Sequence, residues 1–175
     1  MNAVALLKQQ IQESREFFEG TMNDVTAEQA RWSPPGKAMP IGAHYAHVIL
    51  SQDMGLHGLL KGGSPPLAAS SWAGKTGVSE LPPPFGQPWD QWARGAQIDL
   101  AALRQYAQAI CAATDEYLAS LSDDDLKRPI DLSAIGLGQQ TVAFVLNAGW
   151  VFNANMHCGE IACLKGLQGA KGYPV

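Results

Sequence analysis

The stretch from Thr141 to Gly166, TVAFVLNAGWVFNANMHCGEIACLKG, constrains this chain more than any other. Wound as a helix at about 100° per residue, it carries an apolar stripe of Val142, Ala143, Leu146, Trp150, Ile161 and Leu164. Asn153 and His157 lie in the middle of that stripe, and Glu160 lies on its edge. Burying such groups without partners costs about 1 to 3 kcal/mol each, so another element inside the fold has to meet them.

Three further long helices are legible. From Asn2 to Met22 the apolar residues Val4, Leu7, Ile11, Phe18 and Met22 recur at helical spacing. Thr26-Ala27-Glu28-Gln29 has the form of a capping box over one short turn, before the breaker Ser33-Pro34-Pro35-Gly36. Pro40 can open a second long helix that runs to Gly62-Gly63, and His44, His47 and His57 fall on it. A Gly-, Pro- and Ser-rich connection from Gly62 to Pro88 follows, and its Trp72 and Phe85 imply that it folds back over the bundle end. Trp89 to Gln97 reads as a short helical lead-in to a third long helix marked by Leu100, Leu103, Tyr106, Ile110, Tyr117 and Leu121. Ser122-Asp123-Asp124-Asp125 reads as helix caps rather than a metal site. Arg128 to Gln139 reads as a turn-rich connection, and no run of strands is evident. The expected fold is all-α: a single domain over residues 1–175, a four-helix bundle with one long connection between its second and third helices.

With 175 residues, 46% of them hydrophobic, the chain can bury a sizeable core. A net charge of −4 and the lack of any basic run exclude a nucleic-acid footprint. The apolar runs are short and interrupted, so no membrane span is expected and the chain reads as soluble and cytoplasmic. Cys111, Cys158 and Cys163 follow no zinc-finger spacing and read as reduced thiols that fill space.

Asn153 and His157 are spaced i, i+4 and project side by side, as two ligands of one metal ion do. A third ligand has to come from a facing helix, and the second long helix offers His44 and His47. On the wheel His44 borders the apolar stripe, His47 lies farther round near Ser51 and Met54, and His57 points to solvent. The competing account is a buried His-Asn pair satisfied by each other, by a carbonyl or by a trapped water. Glu160 is a ligand, a hydrogen-bonding partner behind His157, or an ion-pair partner of Lys165. Cys158 is turned away from the His157 face, which speaks against a nucleophilic thiol. No phosphate loop, serine elbow or H-E-x-x-H motif is present, and no residue is assigned a catalytic role.

The segment PIGAHYAHV, ending near His47, and the segment NANMHCGEI near the C-terminus resemble the DinB/YfiT-like metalloenzyme superfamily over nearly the whole chain. The resemblance implies a divalent metal, zinc or nickel, held by one histidine of the second helix and by a His or Glu plus a His spaced i, i+4 on the fourth. Carried over by position, the ligands are His47 rather than His44, Asn153 and His157, with Glu160 or His44 in support. Asn153 departs from the usual His or Glu. Either it completes a weaker site with water, or the site survives as a polar pocket without metal.

The resemblance further implies a homodimer and chemistry on a low-molecular-weight thiol such as bacillithiol, mycothiol or glutathione. The expected activity is a thiol-dependent S-transfer or isomerisation of a small electrophile, with metal-dependent hydrolysis as the second enzymatic reading. Trp150, Ser51, Met54, Trp72 and Phe85 are the candidate pocket walls. The non-enzymatic alternative is a bundle that binds a small apolar ligand or serves as structure.

Overall fold

The structure, a computed structural model, describes residues 1–83 and 87–175; Phe85, a candidate pocket wall, lies outside the described residues. Helix α1 (Ala3–Met22) starts at Asn2, whose side chain accepts from the Ala5 amide at 2.8 Å. The free amides of Ala3 and Val4 donate to the Asp123 carboxylate at 3.2 and 3.0 Å. The acidic turn thus caps a helix, as expected, but one 120 residues away in sequence. Helix α2 (Ala27–Arg31) begins with the capping box: Gln29 donates its amide to Thr26 Oγ1, and its side chain accepts from the Thr26 amide.

Helix α3 (Ile41–Asp53) follows Pro40 and continues without a break into a π-helical segment, Met54–Leu60. Gly62 and Gly63, at φ 72° and 83°, then turn the chain out of the helix. The long connection holds helix α4 (Asp90–Gly95), a single Val78–Ile98 bridge and the lead into helix α5 (Leu100–Ala119), whose first turn is capped by Asp99. At Gly77, where φ is 83°, an added Cβ would lie 2.4 Å from the Leu103 amide nitrogen. Only glycine lets the connection rest on the start of α5.

Between α5 and the last helix the expected loop contains an antiparallel pair, β1 (Pro129–Asp131) and β2 (Gln139–Thr141), with Ile130 opposite Gln140. This corrects the strand-free reading: three-residue strands are too short to carry a visible alternation. Thr141 caps helix α6 (Val142–Leu146), which runs through a second π-helical segment, Asn147–Phe152, into helix α7 (Asn153–Leu167).

Helix α7 packs against α1 and α3, and α3 packs against α5. The apolar stripe is buried as expected, with Val142, Leu146, Trp150, Ile161 and Leu164 all inside. Together with Ile11, Tyr45, Leu56, Leu103, Tyr106 and Ile110 they fill the interior, each such side chain contributing roughly 1.5 to 3 kcal/mol. The two π-helical segments touch: a Cβ on Gly55 would lie 3.3 Å from the Trp150 ring, so the indole lies against bare backbone. Lys165 is buried and donates to the Thr21 carbonyl at 2.8 Å while pairing with Asp24, which removes it as a partner for Glu160. Among the described residues no helix is long and apolar enough to cross a membrane.

His57 corrects the helical wheel. It is 7% exposed, and its Nδ1 lies 2.8 Å from the Asp53 carboxylate. The wheel assumed α-helical rotation, whereas the chain from Met54 onward winds in wider turns with i→i+5 bonding, which carries His57 round to the interior. Asp53 itself is fully buried and also accepts from the amides of Leu67 and Ala68, both at 2.9 Å, and from the Tyr106 hydroxyl.

Candidate metal centre

Because α3 crosses α7, His44 and His47, one turn apart on α3, both face His157. His44 and His157 are 4% and 8% exposed, and their Nδ1 atoms are 3.0 Å apart. Glu160, one turn beyond His157, sets Oε2 at 3.1 Å from His44 Nδ1 and in hydrogen-bond contact with His157 Nδ1. One donor atom each from His44, His157 and Glu160 therefore lies within 4.8 Å of the others. Two imidazole lone pairs and a carboxylate oxygen aimed at one small volume repel one another unless a positive charge, a proton or a metal ion, sits among them. A mixed nitrogen and oxygen set of this kind suits zinc, nickel and neighbouring divalent ions, so the residues present fit a metal.

His47 stands beside this group rather than in it. Its ring centroid is 4.8 Å from that of His157 and 4.4 Å from that of Trp89, which meets it edge-on. Its Nδ1 is buried with no hydrogen-bond partner among the described residues. Asn153, half-buried on α7, adjoins His47 and helps keep its protonated form accessible. The choice between His44 and His47 thus takes a different form in three dimensions: both flank His157, from different sides. The carboxylate comes from position 160, while position 153 presents an amide toward His47.

Burial sets the electrostatics. It pushes His47 down to about 4, helped by His157 and His44 and opposed by Asn153. His44 is also lowered by burial and by His157, against the pull of Glu160. Both rings are therefore held neutral at pH 7, the form a metal needs. For the metal-free chain, a depressed folded value means stability that is complete above the ordinary histidine value of about 6.5 and drains away as pH falls toward 4. Urea unfolding of metal-stripped protein is expected to show a loss of roughly 2 to 5 kcal/mol between pH 7 and pH 4.5 from the two rings together, about halved in His47→Asn. A stability independent of pH over that range would contradict the buried neutral pair.

His47 and Asn153 also form part of the wall of a cavity of about 350 Å³. Of the candidate wall residues, Trp150 and Ser51 line it, and Met54 and Trp72 do not. Met54 is half-buried elsewhere on its turn, and Trp72 packs on Tyr106, 5.5 Å between ring centroids. Asp53 draws the start of the connection to α5, taking Trp72 with it. The remaining wall comes from residues outside the sequence expectation: Leu132, Ile135 and Leu137 of the β1–β2 hairpin, with Phe144 and Met156. Trp89 also meets His47, and nothing in its sequence spacing connects the two. The thiols of Cys158 and Cys111 are pushed up to about 11 by burial, which removes them as nucleophiles at neutral pH.

Comparison with known proteins agrees with this architecture. The chain superposes on the crystal structure of a conserved protein from Enterococcus faecalis with a TM-score of 0.78 and 22% identity, over 95% of this chain and 97% of that one. At that identity the likeness speaks for the fold alone. No curated protein matches the chain. Residues 10–161, from within α1 to the middle of α7, match the DinB superfamily, and with the helical fold and the histidine-carboxylate cluster between α3 and α7 this chain belongs to it.

Proposed function

We propose that residues 1–175 form one four-helix bundle domain of the DinB type that holds a divalent ion, zinc or nickel, and catalyses transfer or isomerisation involving a small thiol. The observation that carries this reading is the meeting of His44, His157 and Glu160 within 4.8 Å, with His47 and Asn153 connecting that cluster to a cavity. His157 and Glu160 from α7 and His44 from α3 are the holding residues, with His47 able to join through its free Nδ1. When bound, such an ion lowers the pKa of a coordinated thiol or water toward neutrality.

The chain's own groups do the rest. Glu160, whose side chain is 53% exposed, bridges the two Nδ1 atoms and decides which of them carries a proton. Trp89 shields the His47 ring from water. The cavity wall receives the electrophile. The protein's own buried cysteines do not offer a ready thiolate, which favours a thiol supplied from outside.

The test is to load the protein with zinc or nickel and to follow glutathione, bacillithiol or mycothiol with a chromogenic aryl halide as electrophile. Adduct formation that requires both metal and thiol, and disappears in His157→Ala, is expected. Full metal occupancy without thiol consumption would move the assignment to hydrolysis or to binding without turnover. The binding reading has an observation of its own: no charged side chain and no cysteine lines the cavity among the described residues. Pairing of two copies belongs to the same proposal and is read from the elution volume of that preparation.

A further inference from the structure

We infer that the cavity beside the donor cluster takes an uncharged, mostly apolar molecule the size of one or two fused rings, with its polar group toward Ser51. At about 350 Å³ the cavity lies near the lower end of the roughly 300 to 1,000 Å³ typical of small-molecule sites, which limits the ligand's size. Its wall is hydrocarbon apart from Ser51, His47 and Asn153 on one side. Among the described residues no Asp, Glu, Lys or Arg stands in that wall, so an ionised ligand would lose its hydration there without a side-chain counter-charge, a cost that an uncharged one avoids.

Two further observations point to an occupant. Ser51 Oγ is buried without a hydrogen-bond partner among the described residues, so its hydroxyl is available to an acceptor on a ligand. At the mouth, Phe144, Met156, Ile135 and Leu137 are 38%, 47%, 39% and 48% exposed. Four large apolar side chains gathered at one opening form a patch that ligand entry would cover. As a substrate pocket this inference rests on the metal-enzyme reading; as a binding cavity it stands on its own wall.

Calorimetry with the whole 175-residue chain at pH 7 and three probes of one shape, 2-naphthol, naphthalene and 2-naphthoate, tests it. The expected order is 2-naphthol tightest, naphthalene next, and 2-naphthoate at least tenfold weaker than 2-naphthol. Ser51→Ala should remove the advantage of 2-naphthol over naphthalene. Gly149 lines the cavity, and a Cβ there meets nothing within 4 Å, so Gly149→Leu adds apolar bulk at that wall starting from an unobstructed position. That variant should lose 2-naphthol binding while keeping its melting temperature and its metal content; Ala148→Leu on the same wall serves if it does not fold. Absence of binding by all three probes, preference for the anion, or binding unchanged in the filled variants would overturn the inference. Because metal content is measured separately, each of those outcomes leaves the metal reading standing, and loss of metal leaves the cavity result interpretable.

Discussion

Replacing His157 with alanine is expected to weaken divalent-metal binding at least about 100-fold, leaving essentially no metal on protein purified without a nickel column. Of the four titratable residues of the site, His157 touches the other three: His44 at 3.0 Å, Glu160 by a hydrogen bond, and His47 ring to ring. Elemental analysis of a variant series then separates the two possible ligand sets. If His44, His157 and Glu160 hold the ion, His44→Ala and Glu160→Gln lose metal with His157→Ala, and His47→Ala loses less. If the positions implied by family resemblance hold it, His47→Ala is as damaging as His157→Ala and Glu160→Gln is mild. Asn153→His, which restores a stronger donor beside His47, should tighten binding only in the second case. Metal retained at full stoichiometry in His157→Ala would sink the site.

The largest effect on stability is expected at Asp53. Its fully buried carboxylate collects the amides of Leu67 and Ala68, the Tyr106 hydroxyl and the His57 ring. These partners belong to the connection, to α5 and to the π-helical continuation of α3, so one side chain joins three separate parts of the chain. Asp53→Ala leaves the Leu67 and Ala68 amides and the Tyr106 hydroxyl without their acceptor, and leaves the His57 ring only the residue-53 carbonyl at 3.2 Å; it should cost about 3 to 5 kcal/mol in chemical denaturation, or a melting temperature lower by roughly 10 °C. Tyr106→Phe removes a single bond and should cost about 1 kcal/mol. A loss below 1 kcal/mol for Asp53→Ala would mean that the network carries little weight. The network shares no residue with the donor cluster, so metal stoichiometry in folded Asp53→Ala protein should match that of the parent.

Much of the helical framework was legible because periodicity and capping act over a few residues. Val4 to Met22, Leu100 to Tyr117 and the stripe around Trp150 each repeat at helical spacing, and Thr26 and Thr141 cap where their neighbours in sequence predict. The polar groups on the buried face of the last helix could be read as a site in waiting, because an unpartnered buried His, Asn or Glu costs too much to be left alone.

What only the tertiary structure decided depends on distance in sequence and on departures from ideal winding. The π-helical segments at Met54–Leu60 and Asn147–Phe152 wind more widely than an α-helix, which is why His57, inside the first of them, turns inward. Trp89 reaches His47, and the hairpin residues Ile135 and Leu137 reach the cavity, through packing that no local spacing encodes. Local sequence therefore determined the helices and the residue types of the site. The crossing of α3 on α7 decided that His44 and His47 both meet His157 and that the carboxylate comes from Glu160, because side chains 113 residues apart acquire a mutual geometry only when their helices pack.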